Sequence, residues 1–454
     1  MPVAKSAPGF RGWALPLSVM TAGLIVASAT WFWSSMTIVR APPINLDGLH
    51  LSYGPKDFPA ALLLANNAVA LGEERVAYRG QDWLNQEVYA RALMGRARLA
   101  PSFDDLATAG VALAKGKAAA IAGSGPMLTD AVYNLTVHRL APISADLAIV
   151  EHAAVPADPG DLAEAKALRG DVAFFRGDYA KAIGLYRASA QISNGPGTLF
   201  RIAQWQKKTG RFDDAMASFA QAAAINDRRT PQFMANVYLQ SGVVDLERGN
   251  WPAAETWFRK ADRMFPGYWL TEAHLVQMWA LRGHLAQAAQ GYRRIIARSP
   301  QPDVIDALAA LYRAQGNSAA TRQWAARSQA IWAKRLKSLP EAAYGHALEH
   351  ELVLGDPATA LTLARQNMVA RPYGDSITML GWALLANNRP AEARDLIEAL
   401  NRTEWRTAQQ YVALSQAYAM LGDGDRSATA RDAALTINPR AFDPAAPLIW
   451  FGHH

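Results

Sequence analysis

The stretch His346-Ala347-Leu348-Glu349-His350, HALEH, is the part of this chain whose residue types and spacing could do chemistry. Residues four apart on a helix lie on one face, so both imidazoles could bind the same metal ion. A carboxylate beside them could act as the general base that activates a metal-bound water. Whether this stretch is a zinc site or an ordinary helical segment depends on the elements that position it.

The composition excludes several other chemistries. The chain has 454 residues and no cysteine, so thiolate metal sites, cysteine nucleophiles and disulfide frameworks are excluded. No G-x-x-x-x-G-K-[ST] or G-x-S-x-G pattern occurs, and we predict no cofactor. The net charge of +7 is compatible with anionic lipid, an acidic protein surface or nucleic acid and selects none of them. We expect no nucleic-acid partner.

The N-terminal segment has the composition of a membrane span. No charged residue occurs from Gly12 to Val39, and Arg11 and Arg40 bracket this run. At about 1.5 Å per residue the run is long enough to cross a hydrocarbon core of about 30 Å. We therefore predict a cytoplasmic N-terminus at 1–12, a transmembrane signal anchor at 13–36 and a linker at 37–59.

The same segment leaves two alternatives for location. Ala27-Ser28-Ala29 has the small-x-small form of a signal-peptide cleavage site, but the apolar run continues beyond it, which favours an uncleaved anchor. Basic residues on the two sides of the run only slightly favour a cytoplasmic N-terminus. We predict a single-pass inner-membrane protein with its bulk in the periplasm. A cleaved, soluble periplasmic form and a cytoplasm-facing form are the alternatives.

Beyond residue 160 the sequence repeats with a period near 34 residues. A glycine or asparagine followed five residues later by a small residue occurs eight times, and these turn residues are Gly177, Gly210, Gly249, Gly283, Gly316, Gly355, Asn388 and Gly422. Two of the intervals are 39 residues long, which predicts insertions that lengthen a helix or a loop. A period of this size with a break inside each unit is typical of a solenoid of helical hairpins.

Other residues recur at fixed positions in each unit. Small residues such as Gly170 and Gly242, seven before the turn, predict a close approach of two helices. Aromatic residues nine after the turn are expected to fill the space toward the next hairpin; they are Tyr186, Phe219, Phe258 and Tyr292. Prolines predict where second helices end, and they are Pro266, Pro300, Pro372 and Pro439.

Segments such as GNWPAAETWFRKADRMFP and AYAMLGDGDRSATARDAALTINP resemble the tetratricopeptide repeat family, and with the N-terminal run the chain resembles its membrane-anchored bacterial members. The resemblance covers about residues 163–441. It implies an all-α, right-handed helix-turn-helix solenoid of about eight hairpins at 161–441, followed by a C-terminal tail at 442–454. Residues 60–160 have helical periodicity without a clear repeat, and we expect an irregular helical region there.

The resemblance also implies a concave groove that binds a protein or peptide partner. Carried over position by position, its lining would be Phe174, Gln204, Lys207, Lys208, Gln277, Arg313, Glu349, Trp382 and Gln416. In this frame HALEH lies in the first helix of the unit that turns at Gly355, and Glu349 points into the groove. The H-x-x-E-H pattern of inverted zinc peptidases also needs a third ligand and a closed chamber, which an open solenoid does not supply.

We therefore predict no catalytic residue and no metal site, and we keep a zinc-dependent hydrolase using His346, Glu349 and His350 as an alternative. The predicted function is a non-catalytic, membrane-anchored scaffold in a bacterial envelope assembly, secretion or biogenesis complex. A periplasmic component of exopolysaccharide export is a second alternative. Residues 318–338 carry five basic residues with Trp324 and Trp332 on one face. We favour a long second helix with core tryptophans and solvated bases, and a basic amphipathic helix against lipid or an acidic partner is the alternative. The sequence specifies no oligomeric state.

Overall fold

Helices form almost all of the chain that can be described. The computed structural model describes residues 44–121 and 124–451. The predicted N-terminus at 1–12, the predicted transmembrane helix at 13–36 and the two terminal histidines lie outside these ranges. The described ranges contain 21 α-helices and no strand, so the prediction of an all-α helical-repeat architecture is confirmed. No helix within those ranges is both long enough and apolar enough to cross a bilayer.

Five helices precede the repeats. Several begin at a capping side chain: the Asp57 carboxylate accepts a hydrogen bond from the Ala60 N–H at 2.8 Å, and the Ser102 hydroxyl accepts one from the Asp105 N–H at 3.1 Å. Such caps satisfy backbone donors that the first helical turn leaves unpaired. The helices are α1 (Phe58–Tyr78), α2 (Trp83–Leu99), α3 (Phe103–Ala119), α4 (Met127–Thr136) and α5 (Leu140–Glu151).

Eight helical hairpins follow, each made of two antiparallel helices. The first four pair α6 (Pro159–Phe175) with α7 (Tyr179–Ile192), α8 (Pro196–Lys208) with α9 (Phe212–Ile225), α10 (Pro231–Glu247) with α11 (Trp251–Met264), and α12 (Trp269–Leu281) with α13 (Leu285–Arg298). The last four pair α14 (Pro302–Ala314) with α15 (Ser318–Ser338), α16 (Pro340–Leu354) with α17 (Pro357–Ala370), α18 (Gly374–Ala386) with α19 (Pro390–Asn401), and α20 (Ala408–Met420) with α21 (Gly424–Ile437).

The chain reverses at the predicted turn residues. Seven of the eight have a positive φ, from 73° to 82° at six glycines and 56° at Asn388. This left-handed conformation ends the first helix, and the N–H of Gly177, for example, bonds the Phe174 carbonyl at 2.8 Å. Gly355 is the exception, with a φ of −115°. Each of the four predicted prolines lies two residues beyond the end of a second helix.

Small residues allow the two helices of a hairpin to pack closely. A Cβ on Gly170 would overlap the ring of Tyr186, and a Cβ on Gly242 would overlap the ring of Phe258. These rings therefore fill space within their own hairpin, which corrects the expectation that they mainly face the next one. Phe258 does both, because its ring also stacks on His274 of the following hairpin with centroids 4.3 Å apart.

The two long intervals lie where the hairpins contact the N-terminal part of the chain. Helix α15 has 21 residues, and its last turns place Lys334 2.7 Å from the carboxylate of Asp104 and Arg335 4.6 Å above the ring of Phe103. Helix α10 has 17 residues, and its Tyr238 donates a hydrogen bond to Asp47 at 3.0 Å. The insertions therefore lengthen helices, as predicted.

The array of hairpins curls back on itself. The Gly374 N–H, at the start of the seventh hairpin, donates to the Tyr179 hydroxyl of the first at 2.8 Å. The Arg406 N–H, just before the eighth, donates to the carbonyl of Lys208 in the second at 2.9 Å. The first two hairpins therefore contact the chain at the start of the hairpin six units later.

Both predicted end segments are held against the repeats as far as they are described. In the tail, Trp450 and Phe451 are buried, and their N–H groups donate to the side-chain oxygen of Gln277 at 2.6 and 2.8 Å. The C-terminal tail is therefore packed against the repeats up to residue 451. In the linker, Asp47 lies 2.6 Å from the ammonium of Lys260, so the linker is docked rather than free from residue 44 onward.

Candidate binding site

The residues predicted to line a groove lie mostly in the interior. Of the nine, five are buried, three are half-buried and Arg313 is exposed. The buried five are Phe174, Lys207, Gln277, Glu349 and Trp382, and the half-buried three are Gln204, Lys208 and Gln416. Buried polar side chains need hydrogen-bond or ion-pair partners. The partners of these residues therefore show whether they hold the fold together or face a ligand.

Lys207 and Lys208 hold three hairpins together. The Lys208 ammonium lies 3.5 Å from Glu247 and 3.3 Å from Asp375, while the Lys207 ammonium lies 3.4 Å from Glu247. Burial lowers the pKa of Lys207, whereas at Lys208 the effect of burial is outweighed by Asp375 and Glu247, which raise its pKa. These two cations pair with buried carboxylates of the third and seventh hairpins and are not a surface for a partner.

The other predicted lining residues also have partners within the chain. Phe174 packs in an aromatic cluster with Tyr179, Tyr373 and Trp405, at centroid distances of 5.3 to 5.7 Å. The Gln204 side chain donates to that of Gln240 at 2.7 Å. Gln277 accepts from the tail, as described above. The predicted positions therefore do not form an open groove, because the returning hairpins and the tail occupy the space that a partner would need.

The HALEH segment forms a row of ion pairs between α14 and α16. Nδ1 of His346 lies 2.9 Å from Asp303, and Nδ1 of His350 lies 2.8 Å from Asp306. The indole N–H of Trp332 donates to the second oxygen of Asp306 at 2.8 Å. The two aspartates are three residues apart on α14, and the two histidines are four residues apart on α16. Each imidazole therefore has a carboxylate partner within the chain.

The pairing of His350 with Asp306 sets the charge of this row. Burial lowers the pKa of His350, but Asp306 opposes this by charge and by hydrogen bonding, and the pKa is raised overall. No group of three or more histidine, aspartate or glutamate side chains among the described residues is arranged to hold a metal ion. The geometry gives the zinc-hydrolase alternative no support.

An open cleft lies where the N-terminal helices meet the first hairpin. Its volume is about 680 Å³, and it runs between α2, α4, the end of α5 and the start of α6. We call it the α2 groove. One wall is a single face of α2, formed by Trp83, Glu87, Arg91, Met94, Gly95 and Arg98. The facing wall is partly apolar, with Met127, Val132 and Ile149, and partly acidic, with Asp161 and Glu164.

The shape of the α2 groove suits one extended chain. The lining runs from Trp83 to Arg98, which at 1.5 Å per residue is about 22 Å along the helix. A volume of about 680 Å³ spread over this length makes the groove long and narrow. At about 3.3 Å per residue, the groove is long enough for six or seven extended residues.

Arg98 has an unusual position in this groove. Its side chain is exposed to solvent, yet protein surrounds it closely enough that burial lowers its pKa, and no acidic group opposes this effect. Among the described residues Arg98 has neither an ion-pair nor a hydrogen-bond partner. A guanidinium in this setting would gain a charge-assisted bond from an anionic group of a ligand.

Two of the three acidic groups of the groove have partners. Glu87 accepts a hydrogen bond from the Thr129 hydroxyl and lies 3.7 Å from Arg91. Glu164 accepts from Arg201 at 2.7 Å. Asp161 is exposed, and burial together with the neighbouring negative charge of Asp158 raises its pKa. Arg98 is thus the cation of the groove that has no acidic partner among the described residues.

Comparisons with known proteins bear on the repeats. No family model and no curated protein matches the chain. Among solved structures, the chain is similar to a tetratricopeptide repeat protein from Parabacteroides merdae, with 15% identity over 57% of this chain and 98% of that one and a TM-score of 0.34. By its eight hairpins and their left-handed turns, the described part of the chain is a helical-repeat protein.

Two further likenesses were found for this repeat protein. Yeast Tom70 is 13% identical, with 83% of this chain and 89% of that one covered and a TM-score of 0.35. Pseudomonas aeruginosa pilF is 17% identical, with 45% and 92% covered and a TM-score of 0.27. TM-scores this low carry no argument about function, which has to come from the chain's own residues.

Sequence reasoning missed the α2 groove. The signal that could have indicated it is a mixed stripe along α2, in which Glu87, Arg91, Met94 and Arg98 follow one another at helical spacing. Because this stripe mixes charged and apolar residues, it does not show which face of α2 is buried. Only the placement of α4, α5 and α6 makes this stripe one wall of a groove in the repeat protein.

Proposed function

We propose that this repeat protein is a non-catalytic scaffold that binds an extended segment of a partner protein in the α2 groove. The observation that carries the proposal is the contrast in access: the α2 groove is open and of single-chain width, while the inner side of the hairpin array is filled by the chain itself. Junctions between structural units are common places for ligand sites.

The groove residues define what such a segment would look like. Met94 and Met127 supply adaptable apolar contacts for two or more apolar side chains. Arg98, at the C-terminal end of α2, would bind an acidic side chain or a terminal carboxylate. We therefore expect a segment of six or seven residues that carries apolar side chains and one anionic group at the Arg98 end.

The proposal places this scaffold at a bacterial membrane. The uncharged run from Gly12 to Val39 supports an anchor at 13–36, and the body would extend into the periplasm as a right-handed solenoid. A scaffold anchored in this way would hold a partner near the membrane within an envelope assembly, secretion or biogenesis complex. In this role the partner carries out the chemistry of the complex, and the α2 groove attaches the partner to the scaffold.

The test is capture of partners by full-length protein from its native membrane with two groove variants. Arg98→Glu reverses the unpaired charge, and Gly95→Trp places a side chain in the groove, since a Cβ at Gly95 has no atom within 4 Å. Arg365→Glu, which reverses an exposed charge on α17, is the matched control. We expect both groove variants to lose a partner that the control keeps. Retention of every partner by both variants would contradict binding in the α2 groove.

A further inference from the structure

Positive charge is concentrated in the middle of the repeat array. Residues 251–338 contain 13 lysines and arginines against five aspartates and glutamates, a net charge of +8 that exceeds the +7 of the whole chain. Residues 339–454, which follow directly, contain nine against 13, a net charge of −4. Charge on a mixed surface is ordinarily interspersed, so this separation indicates a field directed at something outside the chain.

The excess resides on the second helices of two consecutive hairpins. Helices α13 and α15 both pack against α14, and together their 35 residues include eight lysines and arginines and no aspartate or glutamate. The five acidic residues of 251–338 lie on other helices. Four of them are committed to partners within the chain: Glu255 to Arg259 and Arg282, Glu272 to Arg298, and Asp303 and Asp306 to the two histidines of HALEH.

Five cations on these two helices are exposed and have no acidic partner among the described residues. We call them the basic face: Arg293, Arg294, Arg322, Arg327 and Lys337. Arg293 donates to the Tyr312 hydroxyl, and Arg327 lies over the ring of Trp324 at 5.4 Å, and neither contact neutralises charge. The other three cations of α13 and α15 differ: Arg298 and Lys334 have carboxylate partners, and Arg335 is buried.

The surroundings of the basic face describe the surface it would fit. Between the cations the exposed side chains are small or polar, such as Ala326, Ala330, Ala333 and Gln323, and no large apolar side chain is exposed on either helix. Neither the α2 groove nor the cleft beside Tyr238 and Lys260 is lined by residues of α13 or α15. The distance from Arg322 to Lys337 is about 22 Å along the helix axis. This is a broad cationic surface of long side chains, without an exposed apolar wedge for insertion.

We propose that the basic face docks on an anionic lipid surface, at the level of the headgroups. Exposed cations without acidic partners suit fluid headgroups, which rearrange to meet them, and each lysine or arginine near such a surface adds to the attraction. A surface that binds an acidic protein has cations held in fixed positions opposite the partner's charges. A surface that binds single-stranded nucleic acid has exposed aromatic rings for base stacking, whereas Trp324 is half-buried beneath Arg327. The lipid surface is also the one that a membrane anchor at 13–36 would bring within reach, and in this respect the inference rests on the proposed function.

The experiment uses full-length protein and its lack of cysteine. Ala330→Cys gives a single thiol on the basic face for a fluorescent donor, and Ala358→Cys gives a matched label on α17, where Arg365 is the lone charged residue. Energy transfer to headgroup-labelled lipid is measured with phosphatidylcholine vesicles and with phosphatidylcholine–phosphatidylglycerol vesicles. Arg322→Glu/Arg327→Glu is the test variant, and Arg365→Glu/Arg402→Glu is the control with the same change in charge.

We expect transfer from position 330 to rise severalfold on the anionic vesicles, to fall to the neutral-vesicle value in Arg322→Glu/Arg327→Glu or at high salt, and to persist in the control. Flotation with neutral vesicles separately reads the membrane anchor, so a failure of the anchor and a failure of the basic face give different results. Equal transfer from position 330 on both lipids, with or without flotation, overturns the proposal and leaves an acidic protein as the occupant of the face. Equal transfer from positions 330 and 358 on anionic vesicles also overturns it.

Discussion

Two basic sites of this repeat protein, Lys207–Lys208 and Arg98, have similar chemistry and different surroundings. Both lie near the C-terminal end of a helix, and both have apolar side chains nearby. The two lysines are closed in by Glu247 and Asp375 from other hairpins, while Arg98 lies in an open groove with no described partner. Buried, paired charge fixes how parts of a protein meet, whereas accessible, unpaired charge remains available to a ligand.

The same contrast holds for glycines. Gly170 lies where the Tyr186 ring leaves no room for a Cβ, and Gly95 lies where a Cβ meets nothing within 4 Å. The hairpins are therefore closed and the α2 groove is open, both by the pairing of their charged groups and by the space around their glycines. Substitutions in the closed hairpins and in the open α2 groove should therefore differ in their effect on stability.

The largest difference is expected between Lys208→Ala and Arg98→Ala. Removal of Lys208 leaves Glu247 and Asp375 with one cation fewer in the interior, and breaking a buried pair in this way costs about 3–5 kcal/mol. Arg98→Ala removes an exposed group without a partner and should change stability by no more than about 0.5 kcal/mol. Urea unfolding of both variants measures the difference. Equal stabilities would mean that the lysine pair does not join the hairpins.

The second comparison pairs Gly170→Ala with Gly95→Ala. The methyl group at position 170 would force the Tyr186 ring to move, and overpacking of this kind costs about 1–3 kcal/mol. At position 95, in the middle of a helix and facing open space, alanine should stabilise by about 0.5–1 kcal/mol. Thermal unfolding under one set of conditions gives both signs. Destabilisation by both substitutions would show that the wall of the α2 groove is closed.

The smallest effect concerns the ion pair of His350 with Asp306, tested by His350→Gln. Because the folded-state pKa of His350 is raised above its unfolded value of about 6.5, protonation stabilises the fold. This contribution is fully present below about pH 6.5 and is lost as the pH rises through the raised folded-state pKa. The gap in unfolding free energy between wild type and variant should therefore narrow as the pH increases. A gap that is constant with pH, or one that depends on added zinc, would contradict the ion-pair interpretation.

The sequence predicted the local structure well, because its signals are local. Left-handed turns at glycines such as Gly177 and Gly210, helix ends two residues before prolines, and the longer α15 all follow from residues within one unit. What it could not predict are contacts between units far apart in the chain. Lys208 and Asp375 are 167 residues apart, and no pattern in either segment predicts that the two side chains meet.

The burial of most predicted groove residues has the same cause. Carrying groove positions over from a family assumes that the inner side of the solenoid stays open, and here distant parts of the chain contact these residues, as the tail does when Phe451 donates to Gln277. The α2 groove was out of reach because three of its four helices, α2, α4 and α5, precede the repeats. Only the three-dimensional arrangement brings Arg98 opposite Met127 and Asp161.

Site-specific photo-crosslinking tests the central claim most directly. A photoreactive amino acid is placed at position 95 in the α2 groove or at position 416, a half-buried position of the predicted concave groove, in full-length protein in its native membrane. Crosslinking from position 95 to one short segment of a partner, reduced by Arg98→Glu, is the result that we predict, with no partner crosslinked from position 416. Crosslinking to a partner from position 416 and none from position 95 would contradict the account.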